Sequence, residues 1–161
     1  MVFLHTKENI YYLKEDLNIE DILEERIKYF EVIAITQNRK LVLKIFNQLI
    51  LNMSKIELIR LIDNNLSNAI KYSKIGSVIE IILKENELKF LSYGNQIKDV
   101  ENIFRKYSRE NNSVGGHGLG LAIVKDICMK YKISIQVNSF ENGLNIFSYK
   151  FNCHSIDTPN M

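Results

Sequence analysis

Apolar positions along the chain alternate between helical and strand spacings. Ile22, Leu23, Ile27, Phe30, Ile33 and Ala34 fall at helical spacing behind Asn18, a fitting N-cap, with Asp21 placed to reach back to it. From Arg39 to Met53 the spacing shortens. "RKLVLKIF" and "QLILNM", parted by Asn47, predict two strands forming a hairpin. Ser54-Lys55-Ile56-Glu57 is a capping box, and Ile59, Ile62, Leu66, Ala69 and Ile70 continue it as one helical face ending near Ser73, before Gly76. "SVIEIILKE" and "LKFLSY" predict a second hairpin around Glu85-Asn86-Glu87. Asp99 is placed to cap a short helix carrying Val100, Ile103 and Phe104. The polar, aperiodic run 108–113 predicts a mobile loop. Gly115 to Gly120 then leads into a helix with Leu121, Val124, Ile127 and Cys128 inward. "KISIQVNS" and "LNIFSYKF" close the chain as a third hairpin around Glu141-Asn142-Gly143. Hairpins between helices predict an α+β sandwich rather than βαβ units.

Composition narrows this picture without changing it. The chain has 161 residues, 46% hydrophobic and 25% charged, which fits one globular domain. A chain of this length buries roughly 70% of its unfolded surface and needs no staples. Lys and Arg number 21 against 19 Asp and Glu, a net charge of +2, too balanced for a nucleic-acid or membrane footprint. No apolar run is long enough to span a bilayer, and no apolar signal region follows Met1. Cys128 and Cys153 have neither disulfide-framework nor zinc spacing, and Cys128 reads as a small core residue. A reduced, cytoplasmic setting is expected. With one proline and seven glycines, the chain should be mostly regular structure, so the places where glycines cluster are informative.

Three stretches carry candidate chemistry. In "GGHGLGLAIVKDIC", Gly116, Gly118 and Gly120 let the backbone approach a ligand, and the following helix offers unpaired N–H groups and the positive end of its dipole, together an anion site suited to phosphate. The preceding "RENNSV" is polar, whereas a dinucleotide-binding βαβ fingerprint needs a hydrophobic strand there, and no Gly-Lys-Ser/Thr of a P-loop occurs. On the capped helix, Asn64, Asn68, Lys71 and Tyr72 share one side. Asn68 offers a neutral oxygen suited to Mg²⁺, Lys71 a point charge for phosphate, and Tyr72 a ring to pack on a planar base. The bland alternative for this side is a solvated helix face. The third stretch, "SYGNQI" (Ser92 to Ile97), follows a strand, and Gly94 supplies a tight backbone passage there.

In this order these stretches resemble the ATP-binding catalytic domain of sensor histidine kinases, a branch of the Bergerat-fold (GHKL) ATPases. "LIDNNLSNAIKYS" resembles the N box, "SYGNQI" the first glycine box, "NIFRKYSR" the phenylalanine box and "GGHGLGLAIV" the second glycine box. The likeness covers about Asn18 to Phe151. It implies a two-layer α/β sandwich with a mixed, mainly antiparallel sheet of about five strands and helices on one face. It implies ATP and Mg²⁺ as ligands, with Asn68 as metal ligand. Asn68, Lys71 and Arg109 are implied as the residues acting on phosphate. Asn64, Tyr72, Ser92, Gly94, Ile97, Phe104, Gly116, His117, Gly118, Leu119, Gly120 and Leu121 are implied to line the nucleotide site, with Phe104 anchoring one end of a lid and His117 a lid residue. Residues 1–17 are expected to be the stub of a connection to a dimerising phosphoacceptor domain, 18–152 the catalytic domain and 153–161 a polar tail.

The implied activity is transfer of the γ-phosphate of ATP to a histidine on that separate domain, with a response regulator downstream and the isolated domain monomeric. His5 lacks the helical hairpin such an acceptor sits on. ATP-hydrolysing relatives place a Glu one helical turn before the metal-binding Asn as base for water. Here that place is Asn64, which cannot act as a base. The chain departs from the family at the first glycine box, where Ser92 stands for the usual Asp and Gln96 for the second Gly. A serine hydroxyl is shorter and uncharged, and losing a buried charged acceptor costs on the order of 1.5–3 kcal/mol. A degenerate nucleotide-binding or docking module with weak ATP affinity is the alternative that this departure raises.

Overall fold

The computed structural model of the chain describes residues 12–105 and 120–152. The expected loop at 108–113 lies outside them. Strand β1 (Lys14–Asn18) leads into helix α1 (Ile19–Thr36), followed by β2 (Lys40–Ile45), β3 (Ile50–Ser54) and helix α2 (Lys55–Tyr72). Strands β4 (Val78–Lys84) and β5 (Glu87–Tyr93), a 3₁₀ turn (Asn102–Phe104), helix α3 (Gly120–Tyr131) and strands β6 (Ser134–Ser139) and β7 (Leu144–Lys150) complete the described chain. Both expected helix caps form. Asn18 Oδ1 accepts from Glu20 N at 3.1 Å, and Ser54 Oγ from Glu57 N at 3.3 Å. The short helix expected behind Asp99 is only the 3₁₀ turn, with Glu101 at its cap position making no side-chain cap bond, while Asp99 Oδ1 accepts from Asn102 N at 3.2 Å.

The main sheet has five strands in the order β2-β4-β5-β7-β6. Only β2 and β4 run parallel; the other neighbours are antiparallel. Period-two alternation gives the sheet one apolar face, where Ile79, Ile81, Leu83, Leu88, Phe90 and Tyr149 are buried. The helices cover that face with Ile22, Leu23 and Ile27 of α1, Leu58, Leu61, Ile62 and Leu66 of α2, and Val124, Ile127 and Cys128 of α3. The result is the α+β, two-layer arrangement expected. Phe90 and Tyr149 meet edge to face, with centroids 6.0 Å apart.

One expected hairpin does not form. β2 and β3 are consecutive, yet β2 joins the main sheet beside β4, while β3 pairs with β1 in a separate two-stranded sheet. The turn between them is held elsewhere. Asn47 Nδ2 donates to Glu85 O at 3.0 Å, Asn47 Oδ1 accepts from Glu85 N at 2.5 Å, and Phe46 N donates to Leu83 O at 2.9 Å. The loop after β2 is thus tied to the β4–β5 turn, and β3 is released to run back along β1. Strand β1 is paired through Leu17 opposite Leu51 and Lys14 opposite Ser54, and Leu17 is buried in the core. Its alternation is too short and too charged to read as a strand.

Candidate nucleotide-binding site

Helix α2 places Asn64, Asn68, Lys71 and Tyr72 along one side, over about two turns. Asn64 and Asn68 are half-buried, while Lys71 and Tyr72 are exposed. Asn64 Nδ2 donates to Arg60 O at 2.8 Å, which leaves its carbonyl oxygen facing outward from the turn. That oxygen meets the start of α3: a Cβ built on Gly120 would lie 2.7 Å from Asn64 Oδ1. Gly120 is thus the residue that lets the amino end of α3 sit against the middle of α2. The first N–H groups of α3 have no partner within their own helix, and they bring the positive end of its dipole beside Asn64. Leu121 packs its side chain on the core, so its part at this helix end falls to its backbone.

The opposite wall comes from the segment after β5. Gly94 forms a bridge with Ser73, just past the end of α2, and Lys74 N donates to Tyr93 O at 2.6 Å. A Cβ on Gly94 would run into the carbonyl oxygen of Tyr72, so the close backbone passage expected there is present. Arg39 reinforces this corner, donating to Ser73 O and, at 3.3 Å, to Ser73 Oγ. Ser92 and Ile97 are half-buried. Phe104 is buried and meets Phe147 with centroids 6.3 Å apart, fixing the end of the stretch that precedes the second glycine run. The fold therefore gathers Asn64, Asn68, Lys71, Tyr72, Ser92, Gly94, Ile97, Phe104 and Gly120 around one end of the sheet. Arg109, Gly116, His117, Gly118 and Leu119 lie outside the described residues.

Supporting residues appear here that the sequence reading passed over. Asn65 is buried one residue from Asn64. Its Nδ2 donates to Leu61 O at 2.9 Å and its Oδ1 accepts from Tyr149 OH at 2.7 Å, bolting α2 to β7 under the site. Burial pushes the Tyr149 hydroxyl well above the usual tyrosine range, so it remains a donor. Asn145, 7% exposed on β7, donates to Asn95 O at 3.0 Å and accepts from Ser139 Oγ at 2.5 Å, while Ser139 Oγ accepts from Ile97 N at 2.8 Å. The signal for Asn145 was available: it shares strand parity with Phe147 and Tyr149, and a polar residue at an inward position needs partners.

The donor set suits a nucleotide better than a bare metal ion. Among the described residues no group of three His, Cys, Asp or Glu stands ready to hold a metal. A hard cation here would take Asn68 oxygen and complete its shell with phosphate and water, the usual pattern for Mg²⁺. Among the described residues, no helix is long and apolar enough to cross a membrane.

Comparison with known proteins places the chain. The family described as histidine kinase-, DNA gyrase B- and HSP90-like ATPases matches residues 53–153. The sensor histidine kinase YvrG of Bacillus subtilis is 34% identical over 92 residues, which cover 52% of this chain and 16% of YvrG. The chain thus spans about a sixth of that relative's length. Among solved structures, the mycobacterial sensor histidine kinase MprB superposes with a TM-score of 0.76 at 19% identity, covering 86% of this chain and 97% of the MprB chain. Full-length ShkA in complex with AMPPNP superposes with a TM-score of 0.72 at 17% identity, covering 86% of this chain and 30% of that one. Both likenesses are of fold. With the family matched over more than half of its length and the site built from the same stretches, this chain belongs to the histidine kinase-, DNA gyrase B- and HSP90-like ATPase family.

Proposed function

We propose that this chain is the ATP-binding catalytic domain of a sensor histidine kinase, which binds Mg-ATP and passes the γ-phosphoryl group to a histidine on a separate dimerisation domain. The observation that carries this is the contact of Asn64 with Gly120, which sets the amino end of α3 against the polar side of α2. When bound, Mg-ATP supplies the transferable phosphoryl group. Asn68 contributes a neutral oxygen to the cation, Lys71 a positive charge to the phosphates, and α3 its unpaired N–H groups. Arg109 would add positive charge for the phosphates, and Gly116, Gly118 and Gly120, lacking a Cβ, would permit close backbone approach to them. Phosphoryl transfer asks chiefly for position and charge neutralisation, which these groups provide without a covalent intermediate on this domain.

The place of a water-activating acid is taken by Asn64, and its amide is held by Arg60 O. That favours delivery to an external acceptor over hydrolysis. The acceptor domain precedes β1 in the whole protein, and a response regulator takes the phosphoryl group onward. The domain works in the cytoplasm, and is monomeric when isolated. Calorimetric titration with ATP and Mg²⁺ tests the reading. Saturable heat is expected, with about tenfold weaker binding for Asn68→Ala. Absence of heat at millimolar ATP overturns it and leaves a docking module.

A further inference from the structure

Beside Gly94 the main sheet ends in a row of neutral side chains. Ser92 on β5 stands directly opposite Asn145 on β7, and Asn145 shares its register level with Ser139 on β6. Antiparallel partners point to the same side of a sheet, here the side that carries Phe90 and Tyr149. Ser92, Asn145 and Ser139 thus form one rank at the sheet end beside Gly94. Gly94 N in turn donates to Gly143 O at 2.9 Å.

The proton arrangement along this rank is fixed by its hydrogen bonds. Ile97 N–H donates to Ser139 Oγ, so the Ser139 hydroxyl turns its proton to Asn145 Oδ1, and Asn145 Nδ2 spends one proton on Asn95 O. Two capacities remain: the second N–H of Asn145, and the whole hydroxyl of Ser92, which has no hydrogen-bond partner among the described residues. No carboxylate belongs to the rank. Asp99, the first acidic residue after Ile97, accepts from Asn102 N at 3.2 Å.

A carboxylate only accepts hydrogen bonds, so it fits a 6-amino purine and repels a 6-oxo one. A hydroxyl does both. Ser92 can accept from the amino group of adenine or donate to the O6 of guanine, and the remaining Asn145 N–H can donate to N1 of adenine or O6 of guanine. Selectivity between two ligands needs a group that one of them leaves unpaired. This rank contains none. We infer that the Ser92–Asn145 rank makes the site a purine nucleoside triphosphate site with little discrimination between ATP and GTP. The inference rests on the nucleotide reading above, with the base lying against Ser92.

The test titrates the chain, with Mg²⁺, separately with non-hydrolysable ATP and GTP analogues, and repeats both with Ser92→Asp. Because both nucleotides share the phosphates, their affinity ratio is insensitive to general damage in a variant. In the unaltered chain the two affinities are expected to agree within about tenfold. Ser92→Asp is expected to shift the ratio toward ATP by about tenfold or more. A preference of the unaltered chain for ATP beyond tenfold overturns the inference without any variant, and leaves the nucleotide-site reading standing. A smaller shift in Ser92→Asp also overturns it. Failure of both analogues to bind the unaltered chain overturns both readings together.

Discussion

The two ends of helix α2 carry similar numbers of polar residues and use them in opposite ways. At its amino end the side chains satisfy one another. Glu57 is buried, and its Oε1 accepts from Lys130 Nζ at 2.8 Å and from Tyr131 OH at 2.6 Å, while Tyr131 OH accepts from Ser54 N at 3.2 Å. Arg60 donates to Tyr12 OH at 2.9 Å, and Lys130 Nζ lies 5.0 Å from the Tyr12 ring centre. The hydrogen bond to Glu57 raises the Lys130 pKa, and burial, seconded by the same carboxylate, raises that of Tyr131. At the carboxyl end, Asn68 and Lys71 make no hydrogen bond to any described residue. The first set closes the base of the domain around its entering chain; the second is left without such partners among the described residues. Residue type alone does not separate them. What separates them is whether neighbouring elements bring partners.

Breaking the backbone passage between the two walls should have the largest effect. Gly94→Ala drives a Cβ into the Tyr72 carbonyl, a backbone atom that cannot swing aside. A loss of about 3 kcal/mol in denaturant unfolding is expected, together with weaker nucleotide binding. A stability change within experimental error would show that the corner is looser than described. At the base, Glu57→Ala leaves Tyr131 and Lys130 without their shared acceptor. It should cost about 2 kcal/mol of stability while ATP affinity stays unchanged. A parallel loss of affinity would erase the contrast between the two ends. At the mouth, Lys71→Ala should do the reverse, weakening ATP binding about fivefold to tenfold with stability moved by less than about 0.5 kcal/mol.

The smallest effect is a pH dependence in the core that both ends share. Burial pushes the Cys128 thiol from 9.0 up to about 12. The thiol stays neutral in the fold, while the unfolded chain ionises above pH 9. Stability is therefore unaffected by this group below pH 9 and declines as pH rises from there toward 12. By pH 9.5 its share of the decline should be just under about 1 kcal/mol. Urea unfolding of the unaltered chain and of Cys128→Ala should give parallel pH profiles below pH 8.5 that converge above pH 9. Profiles that stay parallel to pH 10 would place the thiol in contact with solvent.

Much of this site was legible in the sequence because its parts are local. A capping box at Ser54 fixes the phase of α2, and with it the shared side of Asn64, Asn68, Lys71 and Tyr72. The glycines mark close passages, since a missing Cβ is the same physical fact in sequence and in structure: Gly94 meets Tyr72, and Gly120 meets Asn64. Alternation likewise announced β4, β5, β6 and β7, whose partners follow in the chain across tight turns. Arg109, Gly116 and Gly118, which the resemblance assigns to phosphate, lie outside the described residues.

Partnership across long separations was decided only in three dimensions. Period-two alternation says which face of a strand is buried and nothing about what lies beside it. β2 therefore read as the mate of β3 until the bonds of Asn47 with Glu85, 38 residues away, drew it to β4. The rank of Ser92, Asn145 and Ser139 has the same origin. Each is an ordinary polar residue in its own strand, and only the register of β5, β7 and β6 aligns them in one rank. The sequence by itself determined the helices, most of the strands and the placement of the glycines, because these depend on neighbours within a few residues. Which strands lie side by side, and which polar groups find partners, depended on contacts that only the tertiary structure brings together.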